Sequence, residues 1–74
     1  MWFYKTKVGT FQIIPNQTAG RFDLWIANEM LAAYRSPLIA AKDVYRKETG
    51  YEDWDLLEDQ DVPANLTQWQ RGKW

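Results

Sequence analysis

Residues 21–27, RFDLWIA, alternate regularly between two kinds of side chain. One side of an extended chain would carry Phe22, Leu24 and Ile26, and the other would carry Arg21, Asp23 and Trp25. A period of two is typical of a β-strand whose two faces meet different surroundings. The stretch therefore predicts a strand with one face in a core, and it leaves the surroundings of the other face open.

Two further strands are predicted on either side of this stretch. Residues 8–14, VGTFQII, are rich in β-branched and aromatic side chains, and residues 30–34, MLAAY, form a third short run. A turn cluster at residues 15–20, PNQTAG, separates the first two strands, and Asn28-Glu29 makes a tight polar break before the third. These short connections predict a three-stranded meander.

A helix is predicted after the third strand. Ser36 is suited to the N-cap and Pro37 to the first helical position, where its missing N–H has no cost. The helix body is expected to run to Glu48, with Gly50 as its C-cap. The apolar stripe at helical spacing contains Ala40, Ala41 and Val44 and could extend to Tyr45. The small alanine side chains indicate a close approach of the helix to the sheet.

The predicted fold class is α+β: a three-stranded antiparallel β-meander packed against one α-helix, with an irregular or short-helical C-terminal tail. We expect residues 1–74 to form a single small domain, with a core at about 8–57 and a tail at about 58–74. Trp54 is expected to pack under the helix end, because a small domain needs its large side chains inside. The alternative is a surface anchor.

The composition excludes much chemistry. The chain of 74 residues contains no His and no Cys, so imidazole and thiolate metal sites and Ser/His or Cys/His catalysis are ruled out. We expect no enzymatic activity, no cofactor and no metal; a carboxylate site for a cation or for acid–base work at residues 53–61 is a minor alternative. No apolar run approaches the length of a membrane span, and we expect a cytoplasmic protein without a membrane or small-molecule partner.

The stretch YRSPLIAAKDVYRKETGYEDWD at residues 34–55 carries a resemblance. Together with GTF at residues 9–11 and GRF at residues 20–22, it resembles the pattern GTF…GR(W/F)…YxSPxxAAxDV…TG…WD of a family of small bacterial proteins. The matching positions are Gly9, Thr10, Phe11, Gly20, Arg21, Phe22, Tyr34, Ser36, Pro37, Ala40, Ala41, Asp43, Val44, Thr49, Gly50, Trp54 and Asp55. The family has no known function, so the resemblance implies a common fold only.

The net charge of −1 conceals two opposed halves. Residues 1–47 hold seven basic and three acidic side chains, residues 48–70 hold seven acidic and no basic ones, and the last four residues hold two basic ones. The halves could pair within the chain or between subunits. The basic half could also contact phosphates, although a nucleic-acid domain is ordinarily basic overall.

The sheet face turned away from the helix is the main candidate site. The candidate interaction surface consists of Arg21, Asp23, Trp25, Trp69 and Trp74. We expect a non-catalytic module for protein–protein interaction or self-association, unless the C-terminal tail folds back over this face. The alternative is a nucleic-acid-binding domain that uses the sheet face and the basic half. Its candidate phosphate contacts are Lys5, Lys7, Arg21 and Arg35.

Overall fold

The computed structural model describes residues 1–57 and 62–72. They form a five-stranded antiparallel sheet with one nine-residue helix on one face. The strands are β1 (Trp2–Thr6), β2 (Gly9–Asn16), β3 (Arg21–Ile26), β4 (Glu29–Tyr34) and β5 (Gln70–Arg71), in the spatial order β4-β3-β2-β1-β5. The helices are α1 (Pro37–Tyr45) and the single turn α2 (Glu52–Asp55), and a 3-10 turn (Leu66–Gln68) precedes β5.

The expected α+β class is confirmed, but the expected three-stranded meander is wrong. The sheet gains β1, which forms a hairpin with β2, and β5, which pairs with the outer edge of β1. The β1–β2 turn at Lys7 and Val8 lacks a glycine or asparagine, and the Thr6 hydroxyl closes it instead, accepting from Val8 N at 3.1 Å and donating to Gly9 O at 2.7 Å. Because β5 lies within the predicted tail, Gln70 and Arg71 of that tail form a strand.

Helix α1 begins as expected and ends earlier. The Ser36 hydroxyl caps it by accepting from Leu38 N at 3.2 Å, and Pro37 occupies its first turn. The last helical residue is Tyr45, so the expected extension to Glu48 is wrong. Lys47, with φ of 60°, adopts the left-handed conformation at the helix end that we expected of Gly50.

The core lies between the sheet and α1. The helix approaches the sheet through Ala40 and Ala41, both fully buried, in agreement with the expectation from the small side chains. The core consists of Phe11, Ile13, Leu24, Ile26, Ala40, Ala41, Val44, Trp54, Leu66 and Trp69. Two of these, Leu66 and Trp69, lie beyond residues 8–57, so the C-terminal segment helps to close a core that α1 alone is too short to cover.

The loop after α1 is held by one carboxylate. Asp55 accepts hydrogen bonds from Thr49 N at 3.0 Å, Thr49 Oγ1 at 2.7 Å and Gly50 N at 2.8 Å. Asp55 thereby fixes α2 so that Trp54 points into the core, where its Nε1 donates to Val44 O at 3.0 Å. The expectation that Trp54 packs under the helix end is confirmed, because its side chain is fully buried.

Candidate functional site

One face of the sheet is covered by α1, Trp54 and Trp69, and we call the opposite face the open face. Residues directly opposite each other in an antiparallel pair point to the same face. Phe3 pairs with Gln12, Gln12 with Trp25, and Trp25 with Met30. Gln70 pairs with Phe3 on the outer edge. These residues form a line across all five strands of the open face, the central row: Gln70, Phe3, Gln12, Trp25 and Met30.

The two aromatic residues of the central row each border a surface hollow. The hollow beside Trp25 has a volume of about 480 Å³ and is lined by Ile14, Pro15, Asn16, Gln17, Thr18, Asp23 and Trp25. The hollow beside Phe3 has a volume of about 220 Å³ and is lined by Phe3, Tyr4, Lys5, Gln68 and Gln70. Phe3 and Trp25 are separated by one intervening strand, so they stand roughly 10 Å apart.

Three of the expected surface residues do lie together on the open face. Arg21, Asp23 and Trp25 alternate along β3 with the buried Leu24 and Ile26. Arg21 Nε donates to Asp23 Oδ1 at 2.9 Å, and Asn16 Nδ2 donates to Asp23 Oδ2 at 3.3 Å. Asp23 is buried, and these two donors compensate its loss of hydration. The Arg21–Asp23 pair contributes no net charge to the face.

Trp69 does not lie with Trp25. Its ring packs on the covered side of the sheet, 5.6 Å from the ring of Tyr4 and 6.5 Å from that of Phe11. The indole N–H of Trp69 is buried and has no hydrogen-bond partner among the described residues. Residues 62–72 thus reach the covered side and the sheet edge, and the open face keeps its central row accessible. Trp74 lies outside the described residues.

The four candidate phosphate contacts are divided between opposite ends of the sheet. Lys5 pairs with Thr10 near one end, and Lys7 lies in the adjoining turn. Arg21 begins β3 and Arg35 follows β4 at the other end, since Phe22 pairs with Tyr34. Arg21 is also engaged by Asp23. The structure therefore does not bring the four cations into one patch.

Several residues of the open face were not predicted from the sequence. Phe3 and Gln70 lie there because β1 and β5 join the sheet. Gln12, Ile14 and Met30 lie there through the pairing of β2 and β4 with β3. A signal was present in β1, whose sequence WFYKT is rich in aromatic residues. No such signal exists for β5, which has only two residues and is a strand because it pairs with β1.

Other chemistry finds little support in the described residues. No group of three acidic side chains in residues 1–57 and 62–72 could hold a metal ion, and Glu58, Asp59 and Asp61 lie outside this range. Tyr34 donates to Asp43 Oδ2 at 2.8 Å, and burial followed by this bond raises the pKa of the Tyr34 hydroxyl. That hydroxyl is a structural donor near α1 and is remote from the central row.

No helix in the described part of the chain is long and apolar enough to cross a membrane. Comparisons with protein-family models, with curated proteins and with solved structures give no match. The resemblance to small bacterial proteins therefore stays a prediction. Several residues of the pattern stabilise this fold, as helix cap, core side chains or hydrogen-bond acceptor: Ser36, Ala40, Ala41, Trp54 and Asp55.

Proposed function

We propose that this protein is a non-catalytic, cytoplasmic interaction module that binds a protein partner through the open face. The observation that carries the proposal is the central row, in which Phe3 and Trp25 remain partly exposed on a sheet whose other face is closed. Half-buried aromatic residues beside hollows are typical of the anchors that dominate binding energy at protein interfaces.

The side chains of the central row indicate which groups a partner would present. Two apolar groups of a partner would enter the two hollows, one beside Phe3 and one beside Trp25. Gln12 lies between them and Gln70 lies at the edge, and their amides can both donate and accept hydrogen bonds. The face therefore favours a partner surface with apolar anchors and neutral polar groups rather than a charged one.

Nucleic-acid binding is the weaker alternative. Affinity for a phosphate backbone depends on several cations acting together. Here Lys5 and Arg21 stand near opposite ends of the face, and Arg21 is paired with Asp23. A partner without a dense negative charge fits this distribution better.

A photo-crosslinking amino acid at position 25 tests the proposal in cells. We expect an adduct of defined mass with a protein other than a second copy of this chain. The same probe at the exposed Glu48, which lies after α1, gives the background level of such adducts. Excess wild-type protein should abolish the adduct in extracts, while excess Phe3→Ala/Trp25→Ala protein should leave it. If position 25 yields no adduct above position 48, or if both competitors act equally, the proposal is wrong. An adduct with nucleic acid would establish the alternative.

A further inference from the structure

The side of the molecule that carries the helices has its own exposed apolar surface. Among the described residues, four of the five exposed large apolar side chains lie in or beside α1 and α2. Their exposed fractions are 60% for Leu38, 48% for Ile39, 49% for Tyr45 and 76% for Leu56. Single exposed apolar residues are ordinary, but several on adjacent elements indicate an interaction surface.

The outer face of α1 combines these side chains with positive charge. Ile39, Lys42 and Arg46 lie at helical spacing on the side of α1 that points away from the buried Ala40, Ala41 and Val44. Leu38 and Tyr45 are exposed at the edge of this side, next to Ala41. We call this surface the α1 patch: Leu38, Ile39, Lys42, Tyr45 and Arg46.

The neighbouring turn α2 combines an apolar side chain with negative charge. Glu52 and Asp53 are exposed, and Leu56 follows the turn. Trp54 anchors α2 at the C-terminal end of α1 through its hydrogen bond to Val44 O. We call this surface the α2 patch: Glu52, Asp53 and Leu56.

The charges of the two patches form no ion pairs among the described residues. In residues 1–57 and 62–72 the one ion pair is Arg21–Asp23, on the open face of the sheet. Four residues of the two oppositely charged halves therefore lie on the helix side without an ion pair among the described residues: Lys42, Arg46, Glu52 and Asp53. Two positive and two negative groups, each beside exposed apolar side chains, form a self-complementary surface.

We propose that two copies of this chain associate through the helix side, with the α1 patch of each copy against the α2 patch of the other. A two-fold axis makes both contacts identical, as in most homodimers. Like charges disfavour the arrangements that would set α1 against α1 or α2 against α2, so the charges specify the pairing. This dimer is independent of the partner proposed for the open face, and it leaves both open faces accessible.

Charge reversal tests the pairing. The variant Lys42→Glu/Arg46→Glu has two acidic patches, and the variant Glu52→Lys/Asp53→Lys has two basic ones. We expect wild-type protein to sediment as a dimer, and each variant alone to dimerise more than about tenfold more weakly because of like-charge repulsion. An equimolar mixture should form a heterodimer, because both of its contacts then join opposite charges.

Matched controls separate association from folding. All four substituted residues are exposed, and circular dichroism and tryptophan fluorescence confirm that each variant is folded. Lys5→Glu/Lys7→Glu makes the same change of charge away from the helix side and should leave the dimer intact. Leu56→Ser should weaken the dimer without a change of charge.

Three results would overturn the proposal: a monomeric wild-type protein, variants that dimerise as strongly as wild type, or a mixture that stays monomeric. The Phe3→Ala/Trp25→Ala protein should remain a dimer. A loss of dimer in that protein would place self-association on the open face instead. Failure of crosslinking at position 25 would leave this dimer unaffected, so the two proposals fail separately.

Discussion

The two faces of the sheet place tryptophan in different surroundings. On the covered face, the Trp54 ring packs edge-to-face against Phe11, with 5.2 Å between ring centroids, and its indole N–H is hydrogen-bonded. On the open face, Trp25 is half-buried and borders a hollow. The difference arises because α1 and Trp69, both later in the chain, pack on the side of the sheet opposite Trp25. The number of tryptophans alone therefore does not tell how many of them belong to the core.

The largest expected difference in stability is between tryptophan-to-alanine substitutions on the covered face and on the open face. Trp54→Ala should lower the free energy of unfolding by about 3–5 kcal/mol, because it leaves a large cavity and removes the hydrogen bond from the indole to Val44 O. Trp25→Ala should cost less than about 1 kcal/mol, since its ring is not enclosed. Urea denaturation of both variants gives the comparison. Equal losses would show that Trp25 also belongs to the core.

Two aspartates on opposite sides give a second, smaller contrast. Asp55→Asn should lower the free energy of unfolding by about 2 kcal/mol. Both carboxylate oxygens of Asp55 accept hydrogen bonds, and the amide of asparagine would place its NH₂ group where one of these acceptors stands. Asp23→Asn should cost less, because its donors belong to the side chains of Arg21 and Asn16, which can move. Thermal and urea unfolding measure the difference. A larger loss for Asp23→Asn would contradict this explanation.

A third contrast concerns two non-glycine residues with a positive φ, Ala27 and Lys47. Ala27, with φ of 52°, lies in the β3–β4 turn, and Ala27→Gly should stabilise the protein by up to about 1 kcal/mol by relieving backbone strain. Lys47 has a φ of 60°, but its ammonium group contacts Leu57 O and lies 4.6 Å from the Trp54 ring centroid. Lys47→Gly should therefore give no net gain. The melting temperatures of both variants test these expectations. A higher melting temperature for Lys47→Gly, without one for Ala27→Gly, would contradict the explanation.

The smallest expected effect is a pH dependence beside α1. The raised pKa of Tyr34 means that the folded chain holds the phenol proton more tightly than the unfolded chain does. This contribution to stability is complete below about pH 10, the ordinary tyrosine value, and is lost as the pH rises through the raised pKa. Wild-type protein should therefore lose more stability between about pH 8 and pH 11 than Tyr34→Phe. Tyr45→Phe, at an exposed position, should behave as wild type does.

Much of the fold could be predicted from local patterns. The alternation along β3, the Ser36–Pro37 helix start and the Ala40–Ala41 approach each depend on a few neighbouring residues, and the structure has all three. The predicted sheet stopped at three strands because the Lys7–Val8 turn has no glycine or asparagine. Strand β5 depends on pairing with Trp2 and Phe3, at the opposite end of the chain, which no local pattern reports.

The candidate site was predicted in part for the same reason. Arg21, Asp23 and Trp25 follow from the period of two along a single strand. Assigning Trp69 to the same face required knowledge of which side the tail crosses. Trp69 lies on the covered side because Leu66 and Trp69 fill the part of the core near Tyr4 and Phe11. Phe3 and Gln70 could not be assigned until β1 and β5 were known to be strands.

Each residue of the central row comes from a different strand, so no short segment of the chain can display the row by itself. A partner that contacts the whole row would bind the folded chain and not the unfolded one. By linkage, a partner at a hundred times its dissociation constant adds about 2.7 kcal/mol to the free energy of unfolding. For a domain of this size that is a substantial share of total stability. The amount of folded protein in a cell would then follow the amount of its partner.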